Sequence, residues 1–107
     1  MRKTPEGEVK KRITAALKRL GPDRCWYVMP VMGELGTVGI PDYLCCIDGR
    51  FLAIEAKRGK ALVPTTRQQF RIEDIQRAGG KALVINVENI RAFEVWMHEL
   101  QSDHIVH

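Results

Sequence analysis

The chain is short of the features that most quickly assign a small protein. It has three cysteines, Cys25, Cys45 and Cys46, and no Cys-x-x-Cys pair among them. An odd count with one adjacent pair excludes a disulfide framework and fits a reduced, intracellular protein. The three histidines, His98, His104 and His107, crowd the C-terminal end without the spacing of a zinc site, so no structural zinc is expected. No apolar run approaches 18 residues, which excludes a transmembrane helix. The charged first twelve residues lead into no apolar segment, so no secretory signal is read. No internal repeat, low-complexity tract or linker breaks the 107 residues, and one domain spanning 1–107 is expected.

What is present is an ordinary globular composition with a basic excess. Hydrophobic residues make up 45% and charged residues 28%, enough for a modest core. Seventeen Lys and Arg face thirteen Asp and Glu, a net charge of +4. The cations gather in two groups, one over Arg2, Lys3, Lys10, Lys11, Arg12, Lys18 and Arg19, the other over Lys57, Arg58, Lys60, Arg67 and Arg71. An anionic partner is steered by surfaces of this kind.

The periodicities predict three helices and four strands in the order α-β-β-β-α-β-α. Val9, Ile13, Ala16, Leu17 and Leu20 recur at helical spacing over residues 5–20. Thr4 stands at the cap position, Pro5 suits the first turn, and Gly21-Pro22 ends the helix. Residues 25–29 read as a strand, followed by a glycine-rich loop through Gly33, Gly36 and Gly39. Residues 43–47 and 51–57 form a hairpin about Asp48-Gly49. A second helix covers 66–78, capped by Thr65 or Thr66 and followed by Gly79. Residues 82–87 are almost wholly apolar, which predicts a central, covered strand. The last helix covers 89–101 and buries Ala92, Phe93, Trp96 and Leu100. The fold class is α/β, a mixed sheet flanked by helices.

Period two on the strand over 51–57 puts Glu55 and Lys57 on one face, with Leu52, Ile54 and Ala56 on the other. The Asp48-Gly49 turn sets residues 42–43 roughly opposite 54–55, which brings Asp42 near Glu55. Two carboxylates suit a hard divalent ion, and an ammonium beside them suits charge developing on a phosphate. Spacing alone leaves a second reading open, in which Asp42 is a turn residue and Glu55 and Lys57 are a pair on a solvated sheet face.

The run from Gly39 through Ile40, Pro41 and Asp42, across the hairpin to Glu55, Ala56 and Lys57, resembles the core of the VRR-NUC branch of the PD-(D/E)XK nucleases. A glutamate on the first helix, Glu8, and a glutamine, Gln68, eleven residues before Gly79-Gly80 extend the resemblance over residues 6–87. It implies a restriction-endonuclease-like core and a Mg²⁺-dependent endonuclease, with Mn²⁺ able to substitute. It further implies Asp42, Glu55 and the Ala56 carbonyl as metal ligands, with Glu8 supporting them through water. Lys57 would be the catalytic lysine, and Gln68, rather than its neighbour Gln69, would orient it or touch a phosphate.

DNA is the expected partner, structured forms such as four-way junctions included, in the cytoplasm of a bacterium or a phage-infected host. The resemblance also implies a homodimer, for which Trp26, Met29, Met32 and Leu35 offer apolar surface. Two other functions compete. A non-catalytic nucleic-acid-binding module would use the basic helices alone. An interaction domain would leave Asp42 and Glu55 exposed and apart.

Overall fold

The computed structural model describes residues 5–31, 38–57, 59 and 64–106. Seven elements follow one another: α1 (Pro5–Leu20), β1 (Cys25–Val28), β2 (Tyr43–Ile47), β3 (Arg50–Ala56), α2 (Thr66–Arg77), β4 (Lys81–Ile85) and α3 (Ile90–Val106). The expected order α-β-β-β-α-β-α stands. The cap at Thr4 and the loop glycines Gly33 and Gly36 lie outside the described residues.

The four strands form one mixed sheet in the order β1-β2-β3-β4. β1, β2 and β3 pair antiparallel, and β4 adds to β3 in parallel. The β2–β3 turn takes left-handed backbone at Asp48 (φ 51°) and Gly49 (φ 82°), the geometry that tight hairpins favour. It fixes the register Tyr43↔Ile54, so Asp42 arrives beside Glu55.

Strand alternation then divides the sheet. One face carries Cys25, Tyr43, Cys45, Ile47, Leu52, Ile54 and Ala56, which pack under Val9, Ile13, Ala16 and Leu17 of α1 and Ile90, Phe93 and Met97 of α3. Each such aliphatic side chain removed from water contributes about 1.5–3 kcal/mol. The other face carries Phe51, Ala53 and Glu55 and receives α2. Gly80 lets β4 follow α2 closely, since a Cβ there would meet Ile75 Cγ2 at 2.8 Å and Phe51 Cδ2 at 2.9 Å.

Two expectations change. The apolar strand expected at the centre is β4, which ends the sheet order. Its composition reflects cover by helices on both faces, which a parallel strand needs wherever it sits. On α3, Ala92 is exposed, and the inward positions are Ile90, Phe93 and Met97, with Trp96 and Leu100 partly covered. The buried Asn86 sets the start of that helix: its Oδ1 accepts the Glu88 and Asn89 N–H groups at 3.0 and 3.1 Å.

Candidate active site

β3 and β4 run in parallel, and the intervening α2 begins where β3 ends, at the carboxyl end of both strands. That is where open α/β sheets collect polar side chains. Asp42, from the start of β2, and Lys10, from α1, reach the same end.

Asp42 and Glu55 are bonded to each other's strands. Asp42 Oδ2 accepts the Ala56 N–H at 2.8 Å, and the Asp42 N–H donates to Glu55 Oε1 at 3.2 Å. The carboxylates thus continue the hairpin one step past Tyr43↔Ile54. Only 5% of Glu55 is exposed. Burial, and next the Asp42 charge, push its carboxyl above the ordinary value; Lys57 and Gln68 act in the opposite direction.

Lys57 follows β3 directly and is half-buried. Its backbone N–H donates to the Ile85 carbonyl at 2.8 Å, extending the parallel ladder. Its Nζ lies 3.4 Å from Glu55 Oε2 and donates to Gln68 Oε1 at 2.7 Å. Gln68 Nε2 in turn donates to Glu55 Oε2 at 2.5 Å. Gln69 is exposed and reaches Glu73 on its own helix, so the glutamine in contact with the cluster is Gln68.

Gln68 is also the third residue of α2. Thr65 Oγ1 accepts the Gln68 N–H at 3.2 Å, and Gln68 Oε1 accepts the Thr65 N–H at 3.0 Å, a reciprocal capping box. The interaction that starts the helix therefore also holds the amide that bridges Lys57 and Glu55. Gly39 lets the preceding loop approach this turn. Its φ is +84°, and a Cβ there would meet the Arg67 backbone at 2.8 Å.

On the other side, α1 enters through Lys10, whose Nζ lies 3.5 Å from Asp42 Oδ1. The fully buried Tyr43 donates its hydroxyl to the Lys10 carbonyl at 2.8 Å and shares a second bond with Thr14 Oγ1. Sequence reasoning placed Lys10 only in a basic group. No short-range signal singled it out, because the contact depends on how α1 is anchored by Tyr43. Glu8 itself is half-buried and acts electrostatically on Arg12.

The structure thus brings together Asp42, Glu55, Ala56, Lys57 and Gln68, with Lys10 added. An interaction domain with its carboxylates exposed and apart does not match this arrangement. Among the described residues no group of three or more His, Cys, Asp and Glu side chains gathers. A cation here would therefore rest on two carboxylates, a backbone carbonyl and water, a donor set that suits Mg²⁺. Asp42 Oδ2 and Glu55 Oε1 each accept one hydrogen bond and keep a lone pair, and Asp42 Oδ1 meets Lys10 at ion-pair distance only.

No family model and no curated protein matches the chain. A solved structure described as a VRR-NUC domain does, with a TM-score of 0.69 and 22% identity over 84% of this chain and 94% of that one. Order, mixed sheet and flanking helices agree with that likeness, and the chain has the restriction-endonuclease-like fold of a VRR-NUC domain.

Proposed function

We propose that the protein is a metal-dependent endonuclease that hydrolyses phosphodiester bonds in DNA, structured or branched forms such as four-way junctions included. One observation carries this: Asp42, Glu55, Lys57 and Gln68 form a single hydrogen-bonded cluster at the carboxyl end of β3. A non-catalytic binder gains nothing from a buried acidic pair beside phosphates, because like charges repel.

Asp42, Glu55 and the Ala56 carbonyl would hold Mg²⁺ or Mn²⁺, with Glu8 in support through water. The raised carboxyl of Glu55 fits such a role, since a cation relieves the repulsion that Asp42 imposes. Held there, such an ion would supply Lewis-acid polarisation of the phosphate and a more acidic water. Lys57 presents its ammonium to the phosphate and to the water that attacks it, stabilising the charge that grows on oxygen. Gln68 keeps Lys57 and Glu55 in register, and Lys10 orients Asp42. The fold likeness and the basic excess favour nucleic acid as substrate, and no described helix is long and apolar enough to cross a membrane. The chain acts as a homodimer in the bacterial or phage-host cytoplasm. Its edge strand β1 offers Trp26, 64% exposed, and it continues to the exposed Met29; Met32 and Leu35 lie outside the described residues. Light scattering on the eluting protein tests the dimer.

The deciding assay incubates the protein with plasmid, duplex, flap and four-way-junction DNA in Mg²⁺, Mn²⁺ or EDTA. Cleavage is expected with metal alone, and Lys57→Ala is expected to lower its rate by about 10²–10⁴-fold. Binding without cleavage in either metal would sink the proposal.

A further inference from the structure

Away from the cluster, α1 and α3 enclose a groove of about 340 Å³ lined by Arg19, Arg91, Glu94, Val95, His98 and Gln101, with buried Ala16 and Met97 beneath. Its charges are unevenly matched. Glu94 is taken by Arg12, whose Nε donates to Glu94 Oε2 at 3.0 Å and whose Nη2 meets the other oxygen. Arg19 and Arg91 also act on Glu94, yet among the described residues neither closes an ion pair with it. Three arginines around one carboxylate leave an excess of two positive charges, both facing solvent.

We infer that this groove is a second anchoring site for nucleic acid, seating a backbone phosphate of the strand that runs out from the Asp42–Glu55 cluster, gripped by Arg19 from α1 and Arg91 from α3. The inference rests on nucleic acid being the substrate. Arginine suits the task because its planar fork bonds two phosphate oxygens at once, and each of the two helices contributes one arginine to the lining. The volume is at the small end for a ligand site and suits one nucleotide unit better than a folded partner. The apolar floor and the exposed Val95 suit a sugar face.

The location agrees. α3 starts just after β4, at the same end of the sheet as the cluster, and α1 carries both Lys10 and Arg19. Nine residues along a helix span about 14 Å. Successive base pairs of duplex DNA rise 3.4 Å, so Arg19 lies about four pairs' length along α1 from Lys10. An acidic peptide offers a charge of the same sign, but nothing requires its carboxylates to lie at that separation from the cluster.

Equilibrium binding of labelled duplex in EDTA tests the inference without cleavage. The Arg19→Gln/Arg91→Gln protein is expected to bind about tenfold more weakly than the unmodified protein. Its slope of log K against log salt should be shallower by about 0.9, one phosphate's worth. The Arg19→Lys/Arg91→Lys protein should recover most of the slope, because charge is restored without the fork. Lengthening the arm from three to eight base pairs should tighten binding by the unmodified protein and not by the Gln variant. An unchanged slope with an unchanged unfolding temperature overturns the inference, as does a loss confined to polyglutamate binding. The nuclease proposal stands or falls on cleavage, which this measurement does not read.

Discussion

Two glutamates, Glu55 and Glu94, show how one small fold handles negative charge in opposite ways. Glu55 is enclosed beside a second carboxylate, and its countercharge is a lysine at 3.4 Å. Its proton is held more tightly than usual because burial and Asp42 both disfavour ionisation. Glu94 meets the two-pronged guanidinium of Arg12, with Arg91 and Arg19 behind it, and its carboxyl is held below the ordinary value. The first centre sets two adjoining carboxylates against two lysines, and the second sets one carboxylate against three arginines. Under the proposed function the first would take a cation and the second an anion, and a phosphodiester bound with a metal ion would supply both.

The largest separation between the two centres should come from metal itself. At a free Mn²⁺ concentration a hundred times its dissociation constant, linkage predicts about 2.7 kcal/mol of added stability. Thermal unfolding should show this for the unmodified protein and for Glu94→Gln, and not for Asp42→Asn. An equal response in Asp42→Asn would remove Asp42 from the ligand set. A smaller effect is expected at Thr65. Thr65→Ala removes the side-chain cap of α2, at about 1 kcal/mol, and loosens Gln68 against Lys57. Cleavage should fall several-fold and return in Thr65→Ser; a stability loss with no change in cleavage would make the cap purely structural. Smallest is Glu94→Gln, at about 0.5 kcal/mol for a half-exposed pair. Because the folded chain favours the ionised carboxyl, this contribution is complete above the unfolded pKa of about 4.3 and fades as pH falls through the lowered folded value. Chemical unfolding of the two proteins should differ at pH 7, and the difference should shrink as the pH falls below about 4.3.

Local chemistry was legible where a repeat or a turn dictated it. The Asp48-Gly49 dipeptide sets the hairpin, the hairpin sets the register, and the register delivers Asp42 to Glu55. Alternation alone put Glu55 and Lys57 on one face, and the family resemblance pointed to Gln68. Contacts between elements distant in sequence were not legible. Lys10 reaches Asp42 because Tyr43 anchors the α1 backbone, and no short-range pattern announces that bond. Arg12 and Glu94, 82 residues apart, meet only once α1 and α3 share a sheet face. The position of β4 was misjudged for a related reason: its apolar sequence reports cover on both faces and is silent about neighbours within the sheet.

Strand alternation has a practical consequence at the adjacent cysteines. Cys45 faces the core, where burial pushes its thiol up to about 12, and Cys25 is enclosed with it. Cys46, one residue on, is exposed on the opposite face. A thiol reagent at neutral pH therefore meets one accessible sulfur and two protected ones. The chain already carries a single attachment point for a fluorophore, on the sheet face opposite α1 and α3, from which the inferred binding of DNA at the basic groove can be tested without altering a residue there.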